Sequence, residues 1–250
     1  EWMKLEEFFK AHPKVAVAFS GGVDSAYLLY AAARCGANFR AYYVRSDFQP
    51  QFELEDAKRL AGQLGTQMTV LRLDVLSCGP VAENPPDRCY HCKKAIFGAI
   101  IEAAARDGFT VLLDGTNASD EEGDRPGMRA LRELQVLSPL RMCGLTKAHI
   151  RELSKKAGLF TWDKPAYACL ATRILTGQAI TKEKLAATES AEDFLFSLGF
   201  TDFRVRMAGT AAKLQFPEDQ LEKLLRRREQ IVTELKKYYS DVWLDLEVRK

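Results

Sequence analysis

Three short stretches of this 250-residue chain carry residue types that could do chemistry. The first is Ser20-Gly21-Gly22-Val23-Asp24-Ser25, directly after the apolar run KVAVAF. Adjacent glycines let a backbone turn tightly and approach a ligand closely, and a following helix aims unpaired N–H groups and its positive end at whatever sits there. Ser20 and Ser25 add hydroxyls. A plain strand-to-helix turn would need none of this polarity, and neither a Walker loop nor the dinucleotide fingerprint fits the string.

The second stretch is RCYHCKK, with Cys89 and Cys92 three apart and His91 between them. Alone it is a weak signal: zinc wants two more ligands, and a redox pair wants a thioredoxin-like setting. The third is KPAYACLATR, where Cys169 lies in a polar, proline-containing connection suited to chemistry rather than packing. Cys35, Cys78 and Cys143 read as small hydrophobes. His12 and His149 read as surface or helix residues.

The elements that must position these residues follow from periodicity. KVAVAF, ANFRAYYVRS, TQMTVLRLDVL and FTVLLDGTN read as strands, alternating with helices at AYLLYAAARCG, ELEDAKRLAGQLG and KKAIFGAIIEAAARDG. This spacing predicts an α/β fold, a Rossmann-like parallel sheet with helices on both faces. Ligands in such sheets bind at the carboxyl ends of strands, where Ser20-Gly21-Gly22 and Asp114-Gly115-Thr116 both fall. Beyond about residue 160 the alternation weakens. A helix over Thr181–Gly199, strands FRVRM and AKLQF, a long helix over Pro217–Tyr239 and a last strand VWLDLEV predict a small C-terminal α+β domain. The expected division is 1–170 and 171–250.

Composition narrows the function classes. Lys and Arg total 36 against 34 Asp and Glu, a net charge of +2, so a nucleic-acid partner would need a local basic cluster. The densest, at Leu225–Glu229, lies in an amphipathic helical pattern and reads as a solvated face. No apolar run reaches the roughly 18 residues needed to span a bilayer, which speaks against a membrane role. The first residues lack the apolar core of a signal peptide, and with six cysteines the expectation is a cytoplasmic protein with reduced thiols.

The Ser-Gly-Gly-x-Asp-Ser string resembles the pyrophosphate loop (PP-loop) of ATP pyrophosphatases: NAD and GMP synthetases, tRNA thiolases and their relatives. That resemblance implies ATP split between its α- and β-phosphates, with pyrophosphate leaving in the loop beside a magnesium ion. Asp24 would then be a magnesium-binding or loop-ordering carboxylate, or simply a cap of the first helical turn. Adenine and ribose would lie near Val44 and Ser46, with Asp114 and Gly115 closing the site.

Taken with RCYHCKK, DGTNASDEEGDRPGMRAL, KPAYACLATR and FRVR, in that order and spacing, nearly the whole chain resembles the LarE family of ATP-dependent sulfur transferases. The resemblance implies a small-molecule nucleotide substrate, pyridinium-3,5-biscarboxylic acid mononucleotide. One of its carboxylates is adenylated and converted to a thiocarboxylate for the nickel-pincer cofactor. Two sulfur sources occur in the family: a sacrificed cysteine at the Cys169 position, or a [4Fe-4S] cluster on three cysteines. The presence of Cys89 and Cys92 favours the cluster, because sacrifice leaves them without a role.

Arg204 and Arg206 alternate on a strand and point to one face, which suits a substrate phosphate, the use the family makes of them. Glu192 matches a family position near that phosphate and a metal. Gln215 departs from the family's glutamate, which puts an all-carboxylate metal site there in doubt. Arg125 and Arg173 are further candidates for holding anionic substrate or AMP. Family likeness also implies a homo-oligomer. A tRNA-thiolating enzyme shares the loop but wants a basic stripe or RNA-binding module that is not evident. A non-enzymatic cluster carrier would use the loop only for regulation.

Overall fold

A computed structural model describes residues 2–120 and 125–249 of the chain. Residues 121–124, which include Asp124 of the DGTNASDEEGDRPGMRAL stretch, lie outside it. Helix α1 (Trp2–Ala11) leads into β1 (Lys14–Ala18), α2 (Val23–Arg34), β2 (Asn38–Arg45), α3 (Gln51–Gln63), β3 (Met68–Arg72), α4 (Arg88–Arg106) and β4 (Leu112–Leu113). Three further helices follow: α5 (Pro126–Glu133), α6 (Pro139–Met142) and α7 (Lys147–Lys156).

The four strands form a parallel sheet in the order β3-β2-β1-β4, as the α/β reading expects. Successive strand residues point to opposite faces, and both faces are covered. Val15, Val17, Ala41 and Tyr43 pack with side chains of α1, α2, α3 and α7. Ala16, Tyr42 and Val44 pack with Ile100, Ala103 and Ala104 of α4. Each large apolar side chain buried this way contributes about 1.5–3 kcal/mol. Strand β4 is only two residues long, yet its outer edge is closed, because Leu137 N donates to Leu112 O and Asp114 N donates to Leu137 O.

Two expectations about helices change. The helix expected to begin at Lys93 begins at Arg88, so Cys89 and Cys92 lie within its first turns rather than ahead of it. Pro85 and Pro86 bar extension further upstream, and RCYHC contains no helix breaker. The long helix expected over Pro217–Tyr239 is a 3-10 turn (Glu218–Gln220) and two helices, α9 (Leu221–Arg226) and α10 (Arg228–Leu235). The break falls at Arg227, within three consecutive arginines, while Leu224, Ile231 and Leu235 all stay buried.

The chain divides into two compact units: Glu1–Gly79 with Asp87–Tyr167, and Pro80–Pro86 with Ala168–Lys250. The second unit contains α8 (Lys182–Ser197), α9, α10, the antiparallel pair β5 (Arg204–Ala208) and β6 (Ala211–Gln215), and β7 (Val242–Leu244), which runs parallel to β6. Pro80–Pro86, placed by sequence in the first domain, belongs to the second through Asn84. That residue is fully buried, and its amide donates to the carbonyls of Leu175 at 2.8 Å and Gln178 at 3.2 Å. Gly177 N and Ile180 N donate back to the carbonyls of Asn84 and Ala82. Among the described residues no helix is long and apolar enough to cross a membrane.

Candidate active site

The first unit builds its site where β1 ends. Gly21 adopts φ +79°, a conformation open to glycine, and a Cβ there would press on the Glu53 carbonyl of α3 at 3.2 Å. Ser25 Oγ donates to Gly22 O at 3.2 Å, lies 3.1 Å from Ser20 Oγ and accepts from Ser20 N at 3.3 Å. Ser20 Oγ in turn accepts from Gly22 N at 3.4 Å. Both serines therefore shape the loop. Helix α2 starts immediately after it, with Asp24 in its first turn, where the positive helix end favours a carboxylate.

Gly115 fits against this loop so closely that a Cβ would sit 2.8 Å from Ser25 N. The neighbouring Asp114 is buried, and its carboxylate accepts from the hydroxyls of Ser138, at 2.6 Å, and Thr116. Asp114 thus fixes the turn that carries Gly115. At the end of β2, Val44 is buried and Ser46 Oγ donates to Gln49 Oε1 at 2.7 Å while accepting from Phe48 N at 3.2 Å. Arg125 is the N-cap residue of α5.

Two lysines beside the loop escape a sequence reading. Lys147, in the first turn of α7, donates to Asp24 Oδ2. Lys164 lies 2.7 Å from Asp56 Oδ2 and donates to the Gly21 carbonyl at 3.4 Å. Thr146 caps α7 by accepting from His149 N, which places Lys147 at the loop. Burial raises the Asp24 carboxyl above its ordinary value, against the lowering influence of Lys147. Asp24 Oδ1 is buried without a hydrogen-bond partner. A carboxylate with one oxygen on an ammonium and the other unsatisfied is suited to a divalent cation.

None of the six cysteines forms a disulfide. Cys89 is exposed and Cys92 half-buried, three residues apart on one face of α4, with the Arg88 guanidinium 4.0 Å from Cys89 Sγ. The structure assigns Cys169 to the second unit. Cys143 is buried, which pushes its thiol pKa up, and Cys78 Sγ donates to Asp74 O. Among the described residues no three His, Cys, Asp or Glu side chains are gathered into a metal-holding group.

In the second unit Cys169 begins a 3-10 turn (Leu170–Arg173) that rests on buried charge. Arg173, only 1% exposed, donates to both oxygens of Glu192 at 2.7 and 3.1 Å, and also to Ala168 O and Thr172 Oγ1. Glu192 Oε1 additionally accepts from Val205 N at 3.0 Å. Arg173 is therefore committed to Glu192 rather than presented to a ligand.

Arg206 donates to Thr172 O and to Gln215 Oε1, both at 2.6 Å, and Gln215 Nε2 donates to Asp245 at 2.9 Å. Burial and the nearby guanidiniums of Arg173 and Arg249 push Arg204 down to about 10 and lower Arg206. Both remain charged at neutral pH. Glu192 is the one fully buried carboxylate among these arginines, so the cluster keeps an excess of positive charge suited to an anion.

Comparison with known proteins accords with this geometry. A family model described as asparagine synthase matches residues 6–122, which contain the glycine loop and the cysteine pair. The chain is 33% identical over 210 residues to a pyridinium-3,5-bisthiocarboxylic acid mononucleotide synthase of Lactiplantibacillus plantarum, covering 83% of this chain and 76% of that protein. The chain belongs to the LarE family of ATP-dependent sulfur transferases, within the PP-loop superfamily. An uncharacterized protein of Synechocystis sp. is likewise 33% identical, over 89% of this LarE-family chain and 83% of its own length. A tRNA-specific 2-thiouridylase of Thermotoga petrophila is 24% identical over 60% of the chain and 54% of its own length.

Proposed function

We propose that this enzyme adenylates a carboxylate of pyridinium-3,5-biscarboxylic acid mononucleotide and replaces the adenylate with sulfur, as a cytoplasmic homo-oligomer. A carboxylate oxygen attacks the α-phosphorus of ATP, the bond to the bridging oxygen of the β-phosphate breaks, and pyrophosphate leaves. The N–H groups of Gly21 and Gly22 and the positive end of α2 stabilise its charge. Lys147 and Lys164 stand ready as counter-charges. Asp24 would hold magnesium through its unpaired oxygen, adding charge neutralisation at the leaving group. Val44 and Ser46 flank the adenosine, with Asp114 and Gly115 shaping the opposite wall.

The substrate phosphate is received by Arg204 and Arg206, in the unit that carries Cys169. Glu192 sets their array by holding Arg173 and the β5 backbone. Arg125 is a further contact for the anionic intermediate. Sulfur then displaces AMP at the carbonyl carbon, leaving a thiocarboxylate.

Cys89 and Cys92 in the first unit and Cys169 in the second are free thiols of the type that would hold a [4Fe-4S] cluster, and the described residues do not gather the three into a metal-holding group. Such a cluster would supply a sulfide from the iron that has no protein ligand. The paired cysteines on one face of α4 are the observation that favours this source. Cys169 as a sacrificed donor is the alternative, favoured by its turn resting on the arginine cluster.

Anaerobically prepared protein should contain four sulfides for every four irons, and one more when the transferable sulfide is loaded, all lost in Cys89→Ala. It should release pyrophosphate only when the substrate is present. Iron-free protein whose Cys169 loses one hydrogen-sulfide mass on turnover would replace the cluster with sacrifice. Absence of substrate-dependent pyrophosphate release would leave a non-enzymatic carrier.

A further inference from the structure

The segment from Phe160 to Tyr167 is strapped to α3, beside the glycine loop, by contacts to which the adenylation step assigns no role. It starts with a 3-10 turn (Phe160–Asp163) and runs to Tyr167, two residues before Cys169. Its middle is fixed by Arg151 of α7, which donates to the carbonyls of Trp162 at 2.7 Å and Lys164 at 2.8 Å. Beyond that anchor, three side chains make one contact set on α3. The Lys164 ammonium sits 2.7 Å from Asp56 and 5.6 Å from the centre of the Phe52 ring, and Tyr167 packs edge-on against the same ring at 5.1 Å.

The ammonium is thus parked on a carboxylate while only brushing the Gly21 carbonyl at 3.4 Å. Lys164 is 14% exposed and Asp56 30% exposed, so the ammonium is mostly covered and keeps whichever anion beside it carries more charge. A diphosphate seated on the loop amides brings at least two negative charges to within a few ångströms of the same ammonium. Coulomb attraction then favours the diphosphate over a single carboxylate.

We propose that Lys164 and Asp56 form an anion-exchange latch. A diphosphate in the glycine loop draws the Lys164 ammonium from Asp56 and loosens Tyr167 from Phe52, at the start of the segment that carries Cys169. The latch deepens the ATP-pyrophosphatase reading and rests on it. Lys164 is a ligand of the diphosphate, and Asp56 is its competitor rather than its support. Loop occupancy is thereby registered on the cysteine-bearing segment before sulfur is transferred.

The test titrates the whole chain with inorganic pyrophosphate and magnesium by calorimetry and follows hydrogen exchange of a peptide spanning 160–169. In the wild type, pyrophosphate should raise exchange of that peptide. Lys164→Gln should weaken binding about tenfold, as loss of one charge-assisted bond, and leave the peptide insensitive to ligand. Asp56→Asn should tighten binding about threefold by removing the competing state, with exchange raised before ligand is added. Weaker binding by Asp56→Asn would make Asp56 a support for Lys164 and overturn the latch. Unchanged binding by Lys164→Gln would overturn it equally. No binding by the wild type would overturn the pyrophosphate-loop reading itself, and the latch with it.

Discussion

The two units offer a proposed anion opposite kinds of surroundings. The glycine loop relies on backbone N–H groups and a helix end, with its charged side chains parked on carboxylates beside it: Lys147 on Asp24 and Lys164 on Asp56. The second unit relies on charge itself, with Arg204 and Arg206 held beside the buried Arg173–Glu192 pair. A backbone cradle should suffer more from a change of shape than from the loss of one charge. A guanidinium cluster should do the reverse, and its removal also threatens the fold.

The largest effect should come from Arg173→Ala. It leaves Glu192 charged and buried without its partner, at a cost of about 3–5 kcal/mol. Denaturant unfolding should show this loss in the second unit, and adding Glu192→Gln should recover part of it. A full-stability Arg173→Ala variant would mean that the cluster is not a structural keystone.

Next is Gly115→Ala, whose methyl group meets the Ser25 backbone at 2.8 Å. A shift of the loop by about 1 Å should lower pyrophosphate release about 100-fold, with iron content unchanged. Near-normal rates would show that the loop yields at little cost.

Smaller still is Arg206→Lys, which keeps the charge but gives up a planar pair of donors. The KM for the nucleotide substrate should rise about tenfold while ATP affinity stays put. An equal loss of ATP affinity would break the separation of roles between the units.

The smallest is a gain. The folded-state pKa of Asp24 lies above its unfolded value, so the native state binds that proton more tightly. The ionised carboxylate therefore costs stability at neutral pH, and the cost is relieved as pH falls through the raised value. Asp24→Asn should remove the cost, lifting Tm by about 2 °C at pH 7 and flattening the acid side of the stability profile. A lower Tm would mean that the Lys147 ion pair outweighs burial.

What the sequence revealed divides along the same line. The glycine loop is a contiguous string after an apolar strand, so it was legible, as was Gly115 at the end of another strand. Lys147 and Lys164 reach the loop from 123 and 143 residues away, and a lysine in a helix or connection carries no local mark of such a contact. Arg173 lies four residues after Cys169, a place in the sequence that suits a contact to anionic substrate. Only tertiary packing shows it sealed against Glu192. Asn84 tied Pro80–Pro86 to the second unit through side-chain bonds that no periodicity encodes. The helical setting of Cys89 and Cys92 is hard to read from sequence because, after Arg88, CYHC has neither strong helix formers nor breakers.

On the proposed function, the chain cleaves ATP between its α- and β-phosphates to activate a carboxylate for sulfur. Phosphorus NMR of ATP incubated with the enzyme, magnesium and pyridinium-3,5-biscarboxylic acid mononucleotide tests it most directly. AMP and pyrophosphate should form in equal amounts, and only with the carboxylated substrate. ADP and inorganic phosphate, or AMP formation indifferent to that substrate, would contradict it.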